Sequence, residues 1–394
     1  DCLMSGVNGL SKQAERILLP RIADLVYDIL ALLGKRNGNE GVYFLVLDFV
    51  DAFFRVPLNP AERHYYVCSF AGRFLQWNRV AQGSTNGPQA FGRLAALVGR
   101  LTQSVLDPDW ARMQCYIDDP IIAIRGTKEQ AHKTMTKAIL VWRCMHLDLA
   151  FHKGQFGEAV TWVGHDVTVD LKLSSVTAAI KESFMKELKD DAVAMQTVNQ
   201  IKRKDLRSFT GRANHVASLV WTWKPFMDEF WAATSSNPKS RAQQGKIWTK
   251  QVATSLRWIL AFMRREKGEV SRTWSLASHL QAAEHLAVVF DASPWGMGAV
   301  LYRGGCPIAF FADAITVHDV KRYRHKVGDH RGQQVWESLA LLVALKTWAD
   351  LIMGHRFSWR VTLKGDNVTA LNLVLRMKAP AGALKAIAKE VAMV

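Results

Sequence analysis

The feature that most constrains the fold is a pair of adjacent aspartates, Asp118 and Asp119, between two short apolar runs at residues 113–116 and 121–124. Runs this short are typical of strands, and the few residues between them favour a tight hairpin. Another apolar run, which is also typical of a buried strand, ends in Asp48. If these strands are neighbours in one sheet, three carboxylates converge at one of its edges.

Carboxylates held close together inside a protein repel one another strongly unless cations neutralise them. Hard carboxylate oxygens suit Mg²⁺ or Mn²⁺, and two such ions serve phosphoryl transfer by activating the attacking oxygen and stabilising the leaving one. An Asp-Asp pair is also ordinary turn chemistry. Taken alone, the pair therefore fits a plain hairpin as well as a metal site.

The elements around the aspartates follow a recognisable order. A strand is followed by a helix at residues 88–101, the hairpin, a helix at 128–147 and a returning strand at 149–152. This order predicts a split βαβ unit, a small antiparallel sheet with two helices on one face. Upstream, apolar residues at helical spacing predict a further helix over residues 12–34.

Composition indicates a folded chain with a polyanionic partner. The 394 residues predict two or three domains, and 51 Lys and Arg against 35 Asp and Glu leave a net charge of +16. Nineteen of the basic and 10 of the acidic residues lie at 171–285, so this helix-forming stretch carries +9. The five cysteines are scattered and include no CxxC pair, and the chain shows no signal peptide pattern. Both observations favour an intracellular protein with reduced thiols.

A second strand-rich unit follows residue 285 and carries a second acidic trio. Three hairpin-linked strands, a helix at 334–351, a fourth strand and another helix predict an α/β layer fold. Asp291 and Asp366 each end a strand, and Glu337 lies early in the long helix. Alone, Glu337 also fits a solvated helical charge. Together the three residues predict a second metal-binding edge.

The chain resembles reverse transcriptases in five ordered motifs. Tyr116-Ile117-Asp118-Asp119 is similar to the YxDD box, and LDFVDAFF at 47–54 is similar to the first polymerase motif. Gln82-Gly83 followed by Gly87-Pro88 is similar to the second motif of the family. FHK at 151–153 is similar to the fourth motif, and WVGH at 162–165 is similar to the fifth, which is a primer-gripping hairpin. Each string is weak alone, but the ordered set is specific.

The resemblance implies a role for each matching residue. Asp48, Asp118 and Asp119 would hold Mg²⁺ or Mn²⁺ and the triphosphate, with Lys153 neutralising or protonating the leaving pyrophosphate. Phe53 would be a steric gate against a 2′-hydroxyl, although for Phe53, as for Tyr116, an ordinary core aromatic fits equally well. The other residues given a role by the resemblance are Gln82 and Gly83 beside the nucleotide, Tyr116 at the primer terminus, and Trp162 and Gly164 at the primer.

The second trio is similar to ribonuclease H as it occurs fused behind reverse transcriptases. Asp291, Glu337 and Asp366 would hold two ions for cleavage of the RNA strand of a hybrid. We therefore expect an α+β chain with partial fingers and palm at 1–170, a basic helical thumb and connection at 171–285, and an α/β ribonuclease H-like domain at 286–394. Nucleic acid would contact the basic part through Lys202, Arg203 and Lys204, for each of which a solvated surface fits as well.

The implied function is an RNA-directed DNA polymerase with attached ribonuclease H, from a retrotransposon, acting on RNA template, DNA primer or hybrid, and dNTPs. Pro120 departs from the family because it removes a backbone donor beside Asp119. We also expect finger strands before Asp1 and a last ribonuclease helix after Val394 to belong to a longer polypeptide. A catalytically silent nucleic-acid-binding module and a viral RNA-copying polymerase remain alternatives.

Overall fold

The computed structural model describes residues 6–11, 15–235, 245–266, 270–280, 285–353, 360–379 and 382–394. The chain divides into two compact units, Asp1–Ala178 and Ala179–Val394. The boundary lies close to residue 170, where the sequence predicts the end of the palm, and a further division at residue 286 stays a prediction. Within the described residues we find no helix with the length and apolar character to cross a bilayer, and the four described cysteines are free.

The first unit mixes helices with short strands, and its last strand crosses the boundary between the units. In chain order the elements are α1 Val7–Leu10, α2 Ile22–Leu33, β1 Gly41–Val46, β2 Val67–Phe70, β3 Arg73–Gln76, α3 Gly87–Val105, β4 Ala111–Tyr116, β5 Asp119–Gly126, α4 Lys128–Cys144, β6 Gln155–Gly157, β7 Ala159–Trp162, β8 His165–Asp170 and β9 Ser175–Ile180.

The central sheet of this unit has the order β4-β5-β1-β6, and β1 is antiparallel to both β5 and β6. Strands β1 and β5 are nearly continuous apolar runs, because both of their faces are covered. Helices α3 and α4 pack on the sheet around Trp142, whose indole Nε1 donates to Thr102 Oγ1 at 2.8 Å. The predicted strand, helix, hairpin and helix are all present.

Two predictions for this unit are wrong. The helix predicted over 12–34 begins only at Ile22, because Pro20 has no amide hydrogen for a helix interior, and Leu18 is 94% exposed. The strand predicted at 149–152 is absent: Leu149 makes one isolated bridge to Phe49, and Phe151–Lys153 is a 3-10 turn. The returning strand is β6, which begins two residues after that turn.

The second unit begins with the basic helical stretch and continues into a strand-rich part. Its elements are α5 Glu182–Gln196, β10 Gln200–Lys202, α6 Arg203–Leu219, α7 Lys224–Ser235, β11 Lys246–Trp248, α8 Ala253–Met263, β12 Ser271–Ser275, α9 Leu276–His279, β13 His285–Ala292, β14 Gly296–Arg303, β15 Cys306–Ala314, α10 Val317–Tyr323, α11 Gln333–Thr347, α12 Ala349–Met353, β16 Arg360–Lys364, α13 Val368–Arg376 and α14 Gly382–Val391.

The strand-rich part of the second unit is an α/β layer, as predicted. Its sheet has the order β15-β14-β13-β16, with β13 antiparallel to β14 and parallel to β16. Helix α11 packs on this sheet and is buried over most of its length, including Trp336. The single helix predicted at 334–351 is two helices, because the chain breaks at Trp348 between α11 and α12.

The basic stretch has its own apolar core. Phe209, Trp223, Phe226, Phe230 and Phe262 are fully buried. These aromatics therefore pack the interior, whereas Trp221, Trp231 and Trp258 are exposed. Most of the linker predicted at 235–245 lies outside the described residues.

Candidate active sites

The aspartate pair lies on the predicted hairpin. Strands β4 and β5 are joined by Ile117 and Asp118, and Tyr116 pairs with Asp119 across the turn. Ile117 has a φ of +55°, a left-handed conformation that a β-branched residue rarely adopts. Strain of this kind, of order 1–3 kcal/mol, persists where the surrounding structure enforces it, and it is common at functional turns.

Asp48 is held beside this pair by backbone hydrogen bonds. The Leu47 N–H donates to the Pro120 carbonyl at 3.3 Å, and the Phe49 N–H donates to the Asp118 carbonyl at 3.1 Å. Asp48 lies between these two bonds and therefore opposite the hairpin end. The structure thus brings Asp48, Asp118 and Asp119 to one edge of the sheet.

The three carboxylates disturb one another electrostatically. Burial, followed by the charges of Asp118 and Asp48, raises the pKa of Asp119 to about 6. Burial and then the charge of Asp48 also raise the pKa of Asp118. Burial raises the pKa of the neighbouring Cys115 thiol to about 12, so this thiol stays neutral and is no nucleophile. Negative charge at this edge therefore needs a counterion.

Lys153 supplies part of that positive charge. Its Nζ lies 2.5 Å from Asp48 Oδ2, at the end of the 3-10 turn that replaces the predicted strand. Its hydrogen bond to Asp48, with the charges of Asp48, Asp119 and Asp118, raises the pKa of Lys153. The lysine is therefore a cation that faces all three carboxylates.

Pro120 interrupts the ladder that holds the site. Its carbonyl accepts from the Leu47 N–H, but its nitrogen has no hydrogen to return to the Leu47 carbonyl, as paired residues of antiparallel strands normally do. Strand β5 is central in its sheet, a position where proline is rare. Pro120, which departs from the family pattern, thus removes one backbone hydrogen bond between β5 and the end of β1, directly beside Asp119.

The WVGH segment contacts the site through its tryptophan. Trp162 is buried, and its indole Nε1 donates to the Asp119 carbonyl at 3.0 Å. Val163 and Gly164 form the turn between β7 and β8 with φ values of +47° and +73°, as a type I′ turn requires. No sequence motif indicates the Trp162–Asp119 hydrogen bond, because it joins residues 43 positions apart.

The residues expected at the nucleotide differ in their exposure. Phe53 is half-buried and packs on Phe91, with ring centroids 5.7 Å apart, so it is both core aromatic and gate candidate. Gln82 and Gly83 are exposed, and the side chain of Asn8 donates to the Gly83 carbonyl at 2.9 Å. Asn8 is a contact that the motifs did not reveal.

The second trio gathers more tightly. Asp291 on β13, Glu337 on α11 and Asp366 after β16 offer oxygen atoms that all lie within 4.8 Å of one another. Among the described residues they form the one acidic or histidine group that meets this spacing, so Asp48, Asp118 and Asp119 are spread more widely. A Cβ at Gly365 would lie 2.6 Å from the Phe290 ring, so glycine is required beside Asp366.

Glu337 is the buried member of the second trio, with 3% of its surface exposed. Burial, and to a smaller extent the charge of Asp366, raise the pKa of Glu337. Its Oε1 accepts from Gln333 Nε2 at 3.0 Å, whereas its buried Oε2 has no hydrogen-bond donor within the described part of the chain. An unpaired buried carboxylate oxygen facing other carboxylates, in an all-oxygen set, fits a hard divalent cation.

Gln333 is a supporting residue that sequence reasoning missed. Its Nε2 donates both to Glu337 and to the Ala292 carbonyl, which ties α11 to the end of β13. The available signal was its position four residues before Glu337, where side chains of a helix meet. The three expected nucleic-acid contacts lie at the start of α6: Lys202 and Lys204 are exposed and Arg203 is half-buried.

Comparison with known proteins finds relatives of the part of the chain that contains the first of these sites. Residues 4–167 match the family model described as "Reverse transcriptase (RNA-dependent DNA polymerase)". Over 175 residues, 41% of this chain, the sequence is 23% identical to the Gag-Pro-Pol polyprotein of Simian retrovirus SRV-2, of which the match covers 9%.

A solved structure, the foamy viral protease-reverse transcriptase dRH in complex with ds DNA, is similar with a TM-score of 0.51 and 16% identity. It covers 97% of this chain, and the chain covers 59% of that protein. This likeness concerns the fold, and it confirms an α+β architecture of the reverse transcriptase type. Residues 4–167 of this chain are therefore similar in sequence to reverse transcriptases, and the chain is similar in fold to one of them.

Proposed function

We propose that the chain is an RNA-directed DNA polymerase with an attached ribonuclease H, which copies RNA into DNA and cleaves the RNA of the resulting hybrid. The polymerase part is supported by the family match of residues 4–167 and by Asp48, Asp118 and Asp119, which meet at a strained hairpin. The ribonuclease part is supported mainly by the close second trio. A retrotransposon origin stays an expectation from the motif order.

In the polymerase site, Asp48, Asp118 and Asp119 would hold Mg²⁺ or Mn²⁺. Bound ions would activate the primer hydroxyl and stabilise the leaving pyrophosphate oxygen. The chain itself would contribute Lys153, a cation now paired with Asp48, which can turn to the triphosphate. Trp162 would fix the backbone of Asp119, and Phe53 would lie against the sugar.

In the ribonuclease site, Asp291, Glu337 and Asp366 would hold the ions. Bound ions would position a water for attack on the RNA strand. Gln333 would orient Glu337 through its Oε1 and leave Oε2 toward the ions. The neighbouring Asn367 caps α13 by accepting from the Thr369 and Ala370 amides, which fixes the backbone after Asp366.

The expected partners are an RNA template, a DNA primer or RNA–DNA hybrid, and dNTPs. The net charge of +16 favours polyanions, and the reverse transcriptase neighbour in the comparison was solved with ds DNA. Exposed Lys202 and Lys204, with Arg203 between them, would neutralise backbone phosphates. Trp162 and Gly164 would lie on the primer side of the site, Tyr116 would lie at the primer terminus, where the nucleotide binds, and Gln82 and Gly83 would lie beside the nucleotide.

Primer extension on an RNA template tests the polymerase proposal. We expect Mg²⁺-dependent extension by the wild type and a loss of at least about a hundredfold for Asp118→Asn, which removes charge without removing size. Glu129→Gln is the matched control, because Glu129 is an exposed residue that pairs with Lys133 on the surface of α4. Equal extension by wild type and Asp118→Asn would refute the proposal.

Hybrid cleavage tests the second activity separately. Asp291→Asn should reduce cleavage of the RNA strand by at least about a hundredfold and leave extension unchanged, and Asp118→Asn should do the reverse. Cleavage that survives Asp291→Asn would place the nuclease elsewhere or in a contaminant.

One observation favours a second candidate, a silent nucleic-acid-binding module. Pro120 removes a ladder bond beside Asp119, and the carboxylates of the first cluster are spread more widely than those of the second. Duplex binding without extension or cleavage, in both wild type and Asp118→Asn, would support the module.

A further inference from the structure

The side chain of Asp148 joins two parts of the first unit that the proposed polymerase mechanism leaves unconnected. Its Oδ1 accepts from Arg143 Nη1 at 2.7 Å, and its Oδ2 pairs with Arg55 Nη2. Arg143 lies in the last turn of α4, whereas Arg55 is the last residue of the 3-10 turn Ala52–Arg55. Charge-assisted hydrogen bonds at both oxygens restrict the orientation of the carboxylate.

The backbone of Asp148 is bonded to the segment after β1 that carries Asp48. The Val50 N–H donates to the Asp148 carbonyl at 2.8 Å, and the Ala150 N–H donates to the Asp48 carbonyl at 2.9 Å. The two bonds run in opposite directions between the segments, as in an antiparallel ladder. Asp148 is therefore fixed relative to the first carboxylate of the polymerase site.

The turn that ends at Arg55 also carries Phe53, the gate candidate. Turns of the 3-10 type are short and have poorer hydrogen-bond geometry than α-helices. A cavity of about 620 Å³ lies between this turn, α3 and residues 145–147, and Phe54 and Arg55 belong to its lining. Because close packing does not support the turn on the side of the cavity, a side-chain tether at its end can determine where it lies.

We propose that Asp148, through its ion pair with Arg55, positions the turn that carries Phe53 and thereby sets how strongly the polymerase site rejects ribonucleotides. This role rests on the polymerase function proposed above, and Asp148 lies outside the five motifs. Exclusion of a 2′-hydroxyl by an aromatic ring is a steric effect, so it is sensitive to small displacements of the ring. Asp148 acts through Arg55 and is therefore a positioning residue.

Extension of a DNA primer by one nucleotide on an RNA template, with dCTP or CTP as substrate, tests this role on the full chain. The measured quantity is the ratio of kcat/KM for dCTP to kcat/KM for CTP. We expect Asp148→Asn and Arg55→Gln each to lower this ratio roughly two- to fivefold, the range that an exposed ion pair can supply. A variant that is merely less stable loses both rates equally and keeps the ratio.

The double variant separates the ion pair from independent effects of the two residues. Asp148→Asn combined with Arg55→Gln should lower the ratio no further than either single variant, because each substitution removes the same pair. Arg143→Gln is the matched control, because it removes the other guanidinium from the same carboxylate and leaves the pair with Arg55 in place. Its ratio should equal that of the wild type.

Three results would overturn the positioning role: a wild-type ratio in Asp148→Asn or Arg55→Gln, an equal drop in Arg143→Gln, or additive losses in the double variant. Phe53→Val is the reference variant and should lower the ratio more than any of these substitutions. If it keeps the wild-type ratio while the wild type extends the primer, Phe53 is no gate and the role of Asp148 is refuted with it. If the wild type extends no primer, the proposed polymerase function itself is refuted.

Discussion

At Asp119 the chain places a carboxyl group where burial and two neighbouring carboxylates all oppose ionisation. They raise its pKa from 3.8 to about 6. Because the folded protein holds this proton more tightly than the unfolded chain, the contribution of Asp119 to stability is largest below pH 3.8 and is lost as the pH rises through about 6. Groups with strongly shifted pKa values concentrate at functional sites, where the residues that catalysis needs often lower the stability of the fold.

Asp119→Asn should therefore stabilise the protein near neutral pH when metal is absent. We expect the free energy of unfolding, measured with urea in EDTA at about pH 7, to rise by about 1 kcal/mol, a value reduced for solvent screening of a half-exposed group. The gain should shrink as the pH falls from about 6 to 3.8 and should vanish well below 3.8, where Asp119 is protonated in both the folded and the unfolded state.

Asp148→Asn is a control for which we expect the opposite change in the free energy of unfolding. Hydrogen bonds from Arg55 and Arg143 lower the pKa of Asp148, so its charge stabilises the fold above pH 3.8 and this contribution is lost on acidification. The asparagine variant should be less stable near neutral pH. A gain for Asp119→Asn that persists unchanged at pH 4 would contradict repulsion as its cause.

At the scale of elements, strand β5 is shaped by one proline. Pro120 and Pro307 each occupy the second position after a two-residue hairpin turn, in β5 and β15. Strand β5 has β1 as a second neighbour, whereas β15 is an edge strand. Only at Pro120 does the missing N–H face another strand, where the Leu47 carbonyl would accept it.

Replacing each proline with valine distinguishes two contributions to stability: the hydrogen bond of the β-ladder and the stiffness that proline gives the unfolded chain. Either replacement loses about 0.4–1 kcal/mol through a more flexible unfolded chain, and Pro120→Val alone regains a hydrogen bond of about 1 kcal/mol. We expect Pro120→Val to be more stable than Pro307→Val by about 1 kcal/mol in urea unfolding. Equal losses for both variants would show that no ladder bond had formed at Leu47.

Local sequence signals predicted the hairpin, the helices around it and the strand ends that carry both trios. They failed where a tertiary contact decides the local structure. The stretch at 149–152 has strand-like residues, but it is a 3-10 turn in which Lys153 reaches Asp48. Trp162 and Gln333 were also missed as supporting residues, because their partners, the Asp119 and Ala292 carbonyls, are backbone atoms without a residue-type signal.

At the scale of the whole molecule, the chain combines two acidic clusters with a strongly basic background. More than half of the net charge of +16 lies in residues 171–285, while Asp48, Asp118 and Asp119 belong to one unit and Asp291, Glu337 and Asp366 to the other. Cations bound at each cluster would let polyanions approach carboxylates that otherwise repel them. The two proposed activities therefore depend on two independent divalent metal sites.

Binding of Mn²⁺, followed by electron paramagnetic resonance on the full chain, tests this claim most directly and does not depend on activity. The wild type should show two classes of bound ion. Asp118→Asn should abolish one class and Glu337→Gln the other, each leaving the remaining class at its original affinity. If the wild type binds no Mn²⁺, or if either variant alone abolishes both classes, the chain does not contain two separate metal-dependent sites.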